Sequence, residues 1–512
     1  MGFLRNFLRG KRQAPIMQQA NEEVLQRLSM DIDKNLADVK MLFPLTPGLM
    51  IREFEIKSTG RRGALVYLDE LTDQQMIHHQ ILSPLMQEQS GDTDVESILS
   101  IGMIQRAYDL NQVEKAIVQG KSVLYIDGLN TVMLFHTHGW PKRAIEEPQV
   151  EAALKGSHLG FVETSSQNIA MIRRYIPNRE LKVKEYRVGI RGEAGVSLLF
   201  LADVVNPELV LELETRLQSL DVDAIINTGE LEELIEDHPY SPFPQFITTE
   251  RPDSAASHIL QGRIALIMDR SPGALIAPVT FASFFQSVDD YTFSWQVGSF
   301  LRLLRFSAFF ITIFLPAIYI AVISFNFEII PLQLLLSIGE SRANVPFAPI
   351  LEALIMEISL EMLKEAGVRL PAPIGQSVGI VGAIIIGQAT VQAGLVSNIM
   401  VVVVALTGMA SFIIPNQDMS TAIRLIRFPM MILAFLFGLL GVGVGLMILL
   451  GHLISLQSLS TPYIKLSDPP KFLNLRDSLV RLPLQYVKKR PSSTKPSKVN
   501  KQEADHPKGD GG

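Results

Sequence analysis

The chain has 512 residues, of which 47% are hydrophobic, and its formal net charge is −6. It contains no cysteine, which excludes disulfides, thiolate zinc sites, iron–sulfur clusters and cysteine nucleophiles. The charge gives no indication of a nucleic-acid partner. Long charge-free runs are confined to about 306–464, so we expect an α/β soluble N-terminal region followed by an all-α polytopic membrane bundle.

Residues 1–40 form a basic segment with a helical pattern. Its apolar side chains fall on one helical face, namely Phe3, Leu4, Phe7 and Leu8. Two interpretations stay open: a helix that lies on a membrane surface, and a frayed basic terminus. The apolar run is too short for the core of a signal peptide, so the region that follows is expected to stay in the cytoplasm.

The next 260 residues alternate short β-rich runs with helical patterns, which predicts two cytoplasmic α/β subdomains over 41–160 and 161–300. Predicted strands cover Ala64–Leu68, Ser122–Ile126, Val132–Phe135 and Val196–Val205. Pro207 begins a predicted helix over Pro207–Leu220, with leucines at helical spacing.

Two short motifs in this region invite a chemical interpretation. Gly120-Lys121-Ser122 ends like a phosphate-binding loop, but Lys115 stands where the first glycine belongs. His136 and His138 share one face of a strand, and paired surface histidines are favoured over a metal site. Because no catalytic motif was found, we expect a protein that is not an enzyme and that has no cofactor or metal.

Two loops before the apolar half are dense in structural residues. In the first, Glu250, Arg251 and Asp253 are expected to form an ion-pair network that anchors the loop. After the second, the apolar and aromatic run 274–285 is expected to lie on the membrane surface.

The predicted membrane domain covers 301–465. A span needs roughly 20 apolar residues, which predicts spans at about 306–326, 374–393, 395–414 and 428–453. Pro316 predicts a kink in the first span, and Gly394 a tight turn between the middle two. The segment 329–365 is left open between crossing the membrane, dipping into it and lying on it. Residues 466–512 are polar and basic and are expected to form a disordered tail.

Small and polar residues within these runs suggest helix contacts. Candidate helix-packing residues are the glycine pairs Gly375, Gly379, Gly441 and Gly445, each pair four residues apart. Gln388 and Gln392 share one helical face. There they either form hydrogen bonds between helices or line a water-filled path.

Residues 350–365 predict an amphipathic helix with an acidic face. Glu357, Glu361 and Glu365 recur every four residues, opposite an apolar stripe. A solvated face is favoured over a carboxylate ring around a pore. Arg424 and Arg427 precede the last span on the side that four spans would place outside, in conflict with the positive-inside rule.

Several stretches in a fixed order carry a family resemblance. They are GFVET (160–164), NIAMIRR (168–174), FPQFITTERPDSAASHILQGRIALIMD (243–269), SPGALIAPVTFASFFQSVDDY (271–291), LPAIYIAVISF (315–325), the run 330–375, GIVGAIIIGQATVQAGLVSNIMV (379–401) and TPYI (461–464). With these stretches the chain resembles the A subunit of the GerA-type spore germinant receptors.

The resemblance implies a subunit in the inner membrane of the bacterial endospore, with its N-terminal region on the spore-core side. It implies a homo-oligomer, a pentamer, that forms a ligand-gated cation channel. The implied partners are a permease-like B subunit that senses the nutrient and a lipoprotein C subunit, within the membrane lipid. In such a ring, the candidate pore or vestibule residues are Glu357, Glu361, Gln388 and Gln392.

Two other functions remain as alternatives. One is a secondary transporter of small nutrients, and the other is a membrane-anchored scaffold for the germination complex. The resemblance also leaves open whether the chain is a nutrient-receptor subunit or the paralogue grouped with the SpoVA proteins.

Overall fold

The structure, a computed structural model, describes residues 27–87, 95–139, 151, 157–370, 382, 387–464 and 480–501. Several predictions fall on other residues and lie outside the described part. They are the apolar face at Phe3–Leu8, the glycines Gly375 and Gly379, most of the predicted span 374–393, and residues 466–479 and 502–512 of the tail.

The first sheet has five antiparallel strands in the order β1-β2-β4-β5-β3. The strands are β1 Leu49–Ile56, β2 Arg61–Leu68, β3 Ile104–Ala107, β4 Ser122–Ile126 and β5 Val132–Phe135. The predictions for β4 and β5 are confirmed. The strand predicted from Ala64 begins earlier, because Arg61 and Arg62 pair with the end of β1 while their side chains stay exposed.

Both faces of this sheet are covered. Successive residues of β2 point to opposite faces, and every residue from Ala64 to Leu68 is apolar and buried. Ala64, Val66 and Leu68 pack against helices α1 (Ile32–Leu42) and α2 (Leu110–Val118). Leu65 and Tyr67 face the opposite way, toward the helical segment 74–86 and the short helix Val95–Ile98. The sheet is therefore the middle layer of an α/β unit.

The second sheet repeats this arrangement in the order β6-β7-β9-β10-β8. Its strands are β6 Leu181–Val188, β7 Ala194–Leu201, β8 Ile247–Thr249, β9 Ile264–Met268 and β10 Ala274–Ala277. The strand predicted over Val196–Val205 is confirmed as β7. The expectation that 274–285 lies on a membrane surface is wrong, because β10 pairs with both β9 and β8 and is fully buried.

Helices cover both faces of the second sheet. They are α3 Ser165–Tyr175, α4 Pro207–Gln218, α5 Thr228–Ile235 and α6 Pro252–Leu260. The prediction for α4 is confirmed, with its end two residues earlier than expected. The side chain of Asn206 caps the helix by accepting from Glu208 N at 3.1 Å, and Pro207 occupies the first turn.

The C-terminal region is helical. Its helices are α7 Trp295–Ser324, α8 Leu332–Arg342, α9 Pro349–Arg369, α10 Asn398–Ile413 and α11 Gln417–Ser455. Among the described residues, α7 and α11 are long and apolar enough to cross a membrane, and α10 is apolar but shorter. The fold class, α/β followed by helices, is confirmed. Gly394 has φ +67° in a turn before α10, as predicted.

The predicted single span 428–453 is wrong, because α11 folds back on itself at Gly438. That residue has φ +59° and ψ −140°, which no helix contains. A Cβ atom added to Gly445 would meet the sulfur of Met430 and lie 3.2 Å from Leu433 Cδ1. In a straight helix residues 430 and 445 would stand about 22 Å apart. We call 417–437 the first arm of α11 and 439–455 the second arm.

The two arms run away from the sheets and back again. Asn416, just before the first arm, lines a cavity together with Arg251 of the second sheet unit. Gly438 lies against Phe325 and Asn326 at the far end of α7. His452, near the end of the second arm, shares a hydrogen bond of 2.9 Å with Ser241 of the second sheet unit. Arg424 therefore lies nearer the sheet end of the bundle, and Arg427 lies midway along the first arm. The single span on which the predicted charge conflict rested is not formed.

Residues 480–501 of the predicted disordered tail pack on the second sheet unit. Ser497 Oγ donates to Val205 O at 2.8 Å, and Arg490 Nε donates to Leu260 O at 2.9 Å. Lys498 forms an ion pair of 2.9 Å with Asp203. This tail docks mainly through polar contacts, so its polar composition gave no sign of order.

Candidate functional site: a charged seam in the helical bundle

Helix α9 is held between α10 and the first arm of α11. Glu352, near its start, accepts from Ser397 N at 2.9 Å, and Lys364, near its end, donates to Ser411 Oγ at 2.7 Å. Because Ser397 and Ser411 mark the two ends of α10, α9 runs parallel to α10. Glu357 and Glu361 meet Arg427 and Arg424 in reversed order, so α9 runs antiparallel to the first arm.

Three acids of α9 and three arginines form what we call the charged seam. Its members are Glu352, Glu357 and Glu361, with Arg342, Arg424 and Arg427. The N–O distances are 2.8 Å for Arg342–Glu352, 2.8 Å for Arg427–Glu357, 3.0 Å for Arg427–Glu361 and 2.6 Å for Arg424–Glu361. The charges of the seam balance.

The seam inverts the predicted orientation of α9. Glu352 and Glu357 are fully buried, whereas Leu351, Ile358 and Met362 of the apolar stripe are about half exposed. Amphipathic sequence defines two faces but does not say which one is covered. The acids face inward because arginines from α8 and α11 neutralise them there. The expectation of a solvated acidic face is therefore wrong for Glu357.

The predicted polar pair lies elsewhere in the bundle. Gln388 and Gln392 are both exposed on the segment 387–392. Thr390 lies on the inner side of that segment, with its hydroxyl 3.8 Å from the sulfur of Met356. The structure thus brings Glu357 and Glu361 together but leaves the two glutamines on an outer surface of the chain.

Two of the four glycines predicted to pack helices fall within the α11 hairpin. Cβ atoms added to Gly441 and Gly445 would meet Leu433 and Met430 respectively. Both contacts are with the first arm of the same helix. The small residues therefore lie where the two arms approach closely.

A second charged cluster joins the helices to the sheets. Asp290 is fully buried and accepts from Arg302 Nε at 2.7 Å and from Arg305 Nη1 at 2.6 Å. Arg481, from the tail, donates to the backbone oxygens of Asp290 at 2.6 Å and Phe293 at 2.7 Å. This cluster fixes the start of α7, and sequence reasoning missed it. The only signal was an aspartate followed, 12 and 15 residues later, by two arginines at helical spacing.

The loop predicted to be structural borders a cavity at the same junction. Arg251 binds Asp253 through two hydrogen bonds of 3.1 and 2.7 Å, and Glu250 O accepts from Phe161 N at 2.7 Å. The cavity has a volume of about 230 Å³, and its walls come from the second sheet unit, α7 and the α10–α11 turn. Burial and the nearby Arg263 lower the pKa of its His258 well below the usual value.

Comparison with known proteins identifies the family. Residues 37–493 match the family described as Bacillus/Clostridium GerA spore germination protein. The chain belongs to the GerA family. Spore germination protein KA of Bacillus subtilis strain 168 is 37% identical over 473 residues, covering 91% of this chain and 87% of that protein.

Other GerA relatives match over similar lengths. An uncharacterized membrane protein, YfkQ, of Bacillus subtilis strain 168 is 36% identical over 471 residues, covering 91% of this chain and 92% of that protein. Spore germination protein GerLA of Bacillus cereus is 35% identical over 463 residues, covering 89% of this chain and 94% of that protein. The resemblance stated from the sequence is confirmed.

One solved structure is similar to part of this GerA chain. It is the N-terminal domain of the A subunit of the Bacillus megaterium spore germinant receptor GerK3. The match has a TM-score of 0.40 and 29% identity, and covers 50% of this chain and 98% of that domain.

Proposed function

We propose that this chain is a membrane subunit of a spore germinant receptor, and that copies of it assemble into a cation channel controlled by a nutrient. The observation that carries the proposal is the inverted orientation of α9. An acidic helix whose apolar stripe faces outward, while its acids are clamped inward, suits a bundle surrounded by lipid or by further copies.

The charged seam supplies the gate in this proposal. With Arg424 and Arg427 in place, Glu357 and Glu361 have no net attraction for a passing cation. A movement of α9 relative to the first arm of α11 would separate the pairs and expose carboxylates. Such a change between two packed arrangements is a general means by which binding at one site alters another.

The proposed assembly places the exposed glutamines toward other copies. Gln388 and Gln392 carry polar groups on an outer surface of an apolar bundle, where lipid cannot satisfy them. A ring of copies, a pentamer in this proposal, would turn these side chains toward a central path. The sheet units would lie on the cytoplasmic side, the spore core, with the B and C subunits as partners.

Ion flux from liposomes tests the proposal. The complex with its partner subunits is reconstituted, and release of potassium is followed after addition of nutrient. We expect release of potassium that depends on the nutrient. Its rate should differ between the unaltered complex and the double variant Glu357→Gln, Glu361→Gln. The matched control is Glu365→Gln, because Glu365 is exposed and pairs only with Arg369 among the described residues. Absence of flux from the intact complex, together with normal germination of the double variant, would overturn the channel.

A further inference from the structure

Two sequence motifs that the channel does not use meet in one groove. Ser122 pairs with Phe135 in the first sheet, so Lys121 and His136 stand side by side where β4 and β5 meet. His138 follows, with its ring centroid 5.6 Å from that of His136. Gly120-Lys121-Ser122 leads into a strand and not a helix, so this is not the phosphate-binding loop of nucleotide-binding proteins.

The second sheet unit completes the groove. Arg173 and Arg174, at the end of α3, line the same cavity as Lys121, His136 and His138. The cavity has a volume of about 370 Å³. No carboxylate is among the described residues that line it, whereas Lys121, Arg173 and Arg174 supply three cationic side chains. We call these five side chains the basic groove.

Arg173 is the residue that indicates a preformed binding site. It is only 4% exposed, and neither Nε nor Nη2 has a hydrogen-bond partner among the described residues. A buried guanidinium without partners is costly, so it calls for an acceptor. Glu70 lies near enough to raise the pKa of Arg173, but burial outweighs that effect and lowers it.

His136 also has a polar atom in the groove that is unpartnered among the described residues. That atom is Nε2, which is buried. Burial, followed by the charges of Lys121 and His138, lowers the pKa of His136. An anion in the groove would reverse these electrostatic effects. A metal ion fits poorly, because three cationic side chains would repel it.

We propose that the basic groove binds a small oxyanion, of the phosphate-ester or dicarboxylate kind, between the two sheet units. Arginine and lysine recognise both groups through charge-assisted hydrogen bonds. A ligand held by Lys121 from the first unit and Arg173 from the second would bridge the two. Occupancy would therefore stabilise one arrangement of the two sheet units over any alternative arrangement.

Phosphorus NMR on the purified full chain in detergent tests this site. Inorganic phosphate is titrated, and its line broadening reports binding, while unlabelled malonate competes as the dicarboxylate probe. We expect saturable binding that Lys121→Gln and His138→Gln each weaken about tenfold, the effect of losing one charge-assisted bond. Displacement by malonate would point to a carboxylate ligand, and phosphate binding that malonate does not displace would point to a phosphate ester.

Lys115→Gln is the matched control, because Lys115 is exposed on α2 and does not line the groove. Binding in this variant should equal that of the unaltered chain. The proposal fails if neither phosphate nor malonate saturates, or if Lys115→Gln weakens binding as much as Lys121→Gln. Lys121 and His138 are only partly buried, so the test does not depend on replacing the buried Arg173.

Discussion

Arg427 and Glu357 form an ion pair of 2.8 Å in which neither side chain has any exposed surface. The two residues lie 70 positions apart in sequence, on α11 and α9. Taking both charges out of water is costly, and the cost is recovered only while both partners are present. The pair is therefore a point at which the bundle is sensitive to the loss of one charge.

The first prediction concerns Arg427→Met. The change leaves Glu357 charged and buried without its partner, and it should lower the stability of the bundle by about 3–5 kcal/mol. Thermal unfolding of the purified chain in detergent measures the effect. Adding Glu357→Gln should recover most of the loss, since no unpaired charge then remains. Arg369→Met is the control, because the exposed pair Arg369–Glu365 should contribute less than about 1 kcal/mol. Equal losses from the two arginine variants would contradict this account.

The second prediction concerns Gly438→Ala. Alanine disfavours the positive φ of +59°, and its Cβ would lie 3.1 Å from Phe325 Cβ and 3.2 Å from Asn326 Oδ1. We expect a loss of about 1–3 kcal/mol, seen as a lower unfolding temperature in detergent. Gly443→Ala has no neighbouring atom within 4 Å of the added Cβ and should be neutral or slightly stabilising. An unchanged unfolding temperature for Gly438→Ala would mean that α11 does not reverse at this residue.

The third prediction tests the hairpin directly. The natural chain has no cysteine, so the pair Met430→Cys, Gly445→Cys is free of competing thiols. Because the two residues are in contact across the arms, a short thiol-reactive cross-linker should join them in membranes. The pair Met430→Cys, Gly451→Cys is the control, since Gly451 has no neighbour within 4 Å of an added Cβ. A straight α11 would keep both pairs apart, and neither would then cross-link.

The fourth prediction concerns pH and Glu232 of α5. Burial, followed by the charge of Asp418 at the start of α11, raises the pKa of Glu232 to about 8. A carboxyl group with a raised pKa favours the folded state in its protonated form, so its contribution is present in acid and lost as pH rises toward 8. Glu232→Gln should therefore leave stability at pH 5 nearly unchanged and increase it at pH 8.5 by about 2 kcal/mol. Unfolding temperatures measured across this range check the sign.

Glu233→Gln provides the comparison for that measurement. Glu233 is the next residue of α5 and is exposed. Burial, followed by the charge of Glu233, raises the pKa of Glu236 to about 7, so replacement of Glu233 should change the profile near pH 7 and leave the loss of stability near pH 8 as it was. A profile that flattens equally in both variants would show that net charge, and not the burial of Glu232, sets the dependence.

Local sequence patterns predicted the elements whose partners are close in sequence. The strands β4 and β5 and the helix α4 follow from alternation, from helical spacing and from Pro207 in the first turn. The strand β10 was missed for a physical reason. A short apolar run has the same composition whether it is the interior of a sheet or a segment at a membrane surface, and only its pairing with β8 and β9 distinguishes the two.

The charged seam shows a different limit. The spacing of Glu357 and Glu361 was visible, but their partners Arg424 and Arg427 lie more than 60 residues further along the chain. Those arginines were interpreted as topology signals, because a single span was expected where α11 makes a hairpin. The chain reverses at Gly438, which the sequence does not reveal. Glycine is common in apolar helices, and its positive φ cannot be recognised from the residue alone.

The segment 456–464, which follows α11, has a consequence for the order in which the protein forms during synthesis. Ser458 donates to Gln245 O at 2.6 Å and accepts from Val279 N at 3.0 Å, and Tyr463 donates to Pro244 O at 2.8 Å. These contacts belong to the second sheet unit, yet they come from residues translated after every helix of the bundle. Although domains generally fold as they emerge from the ribosome, this unit reaches its final contacts only when the last helix has been made. Completion of the sheet unit thus follows synthesis of the whole bundle.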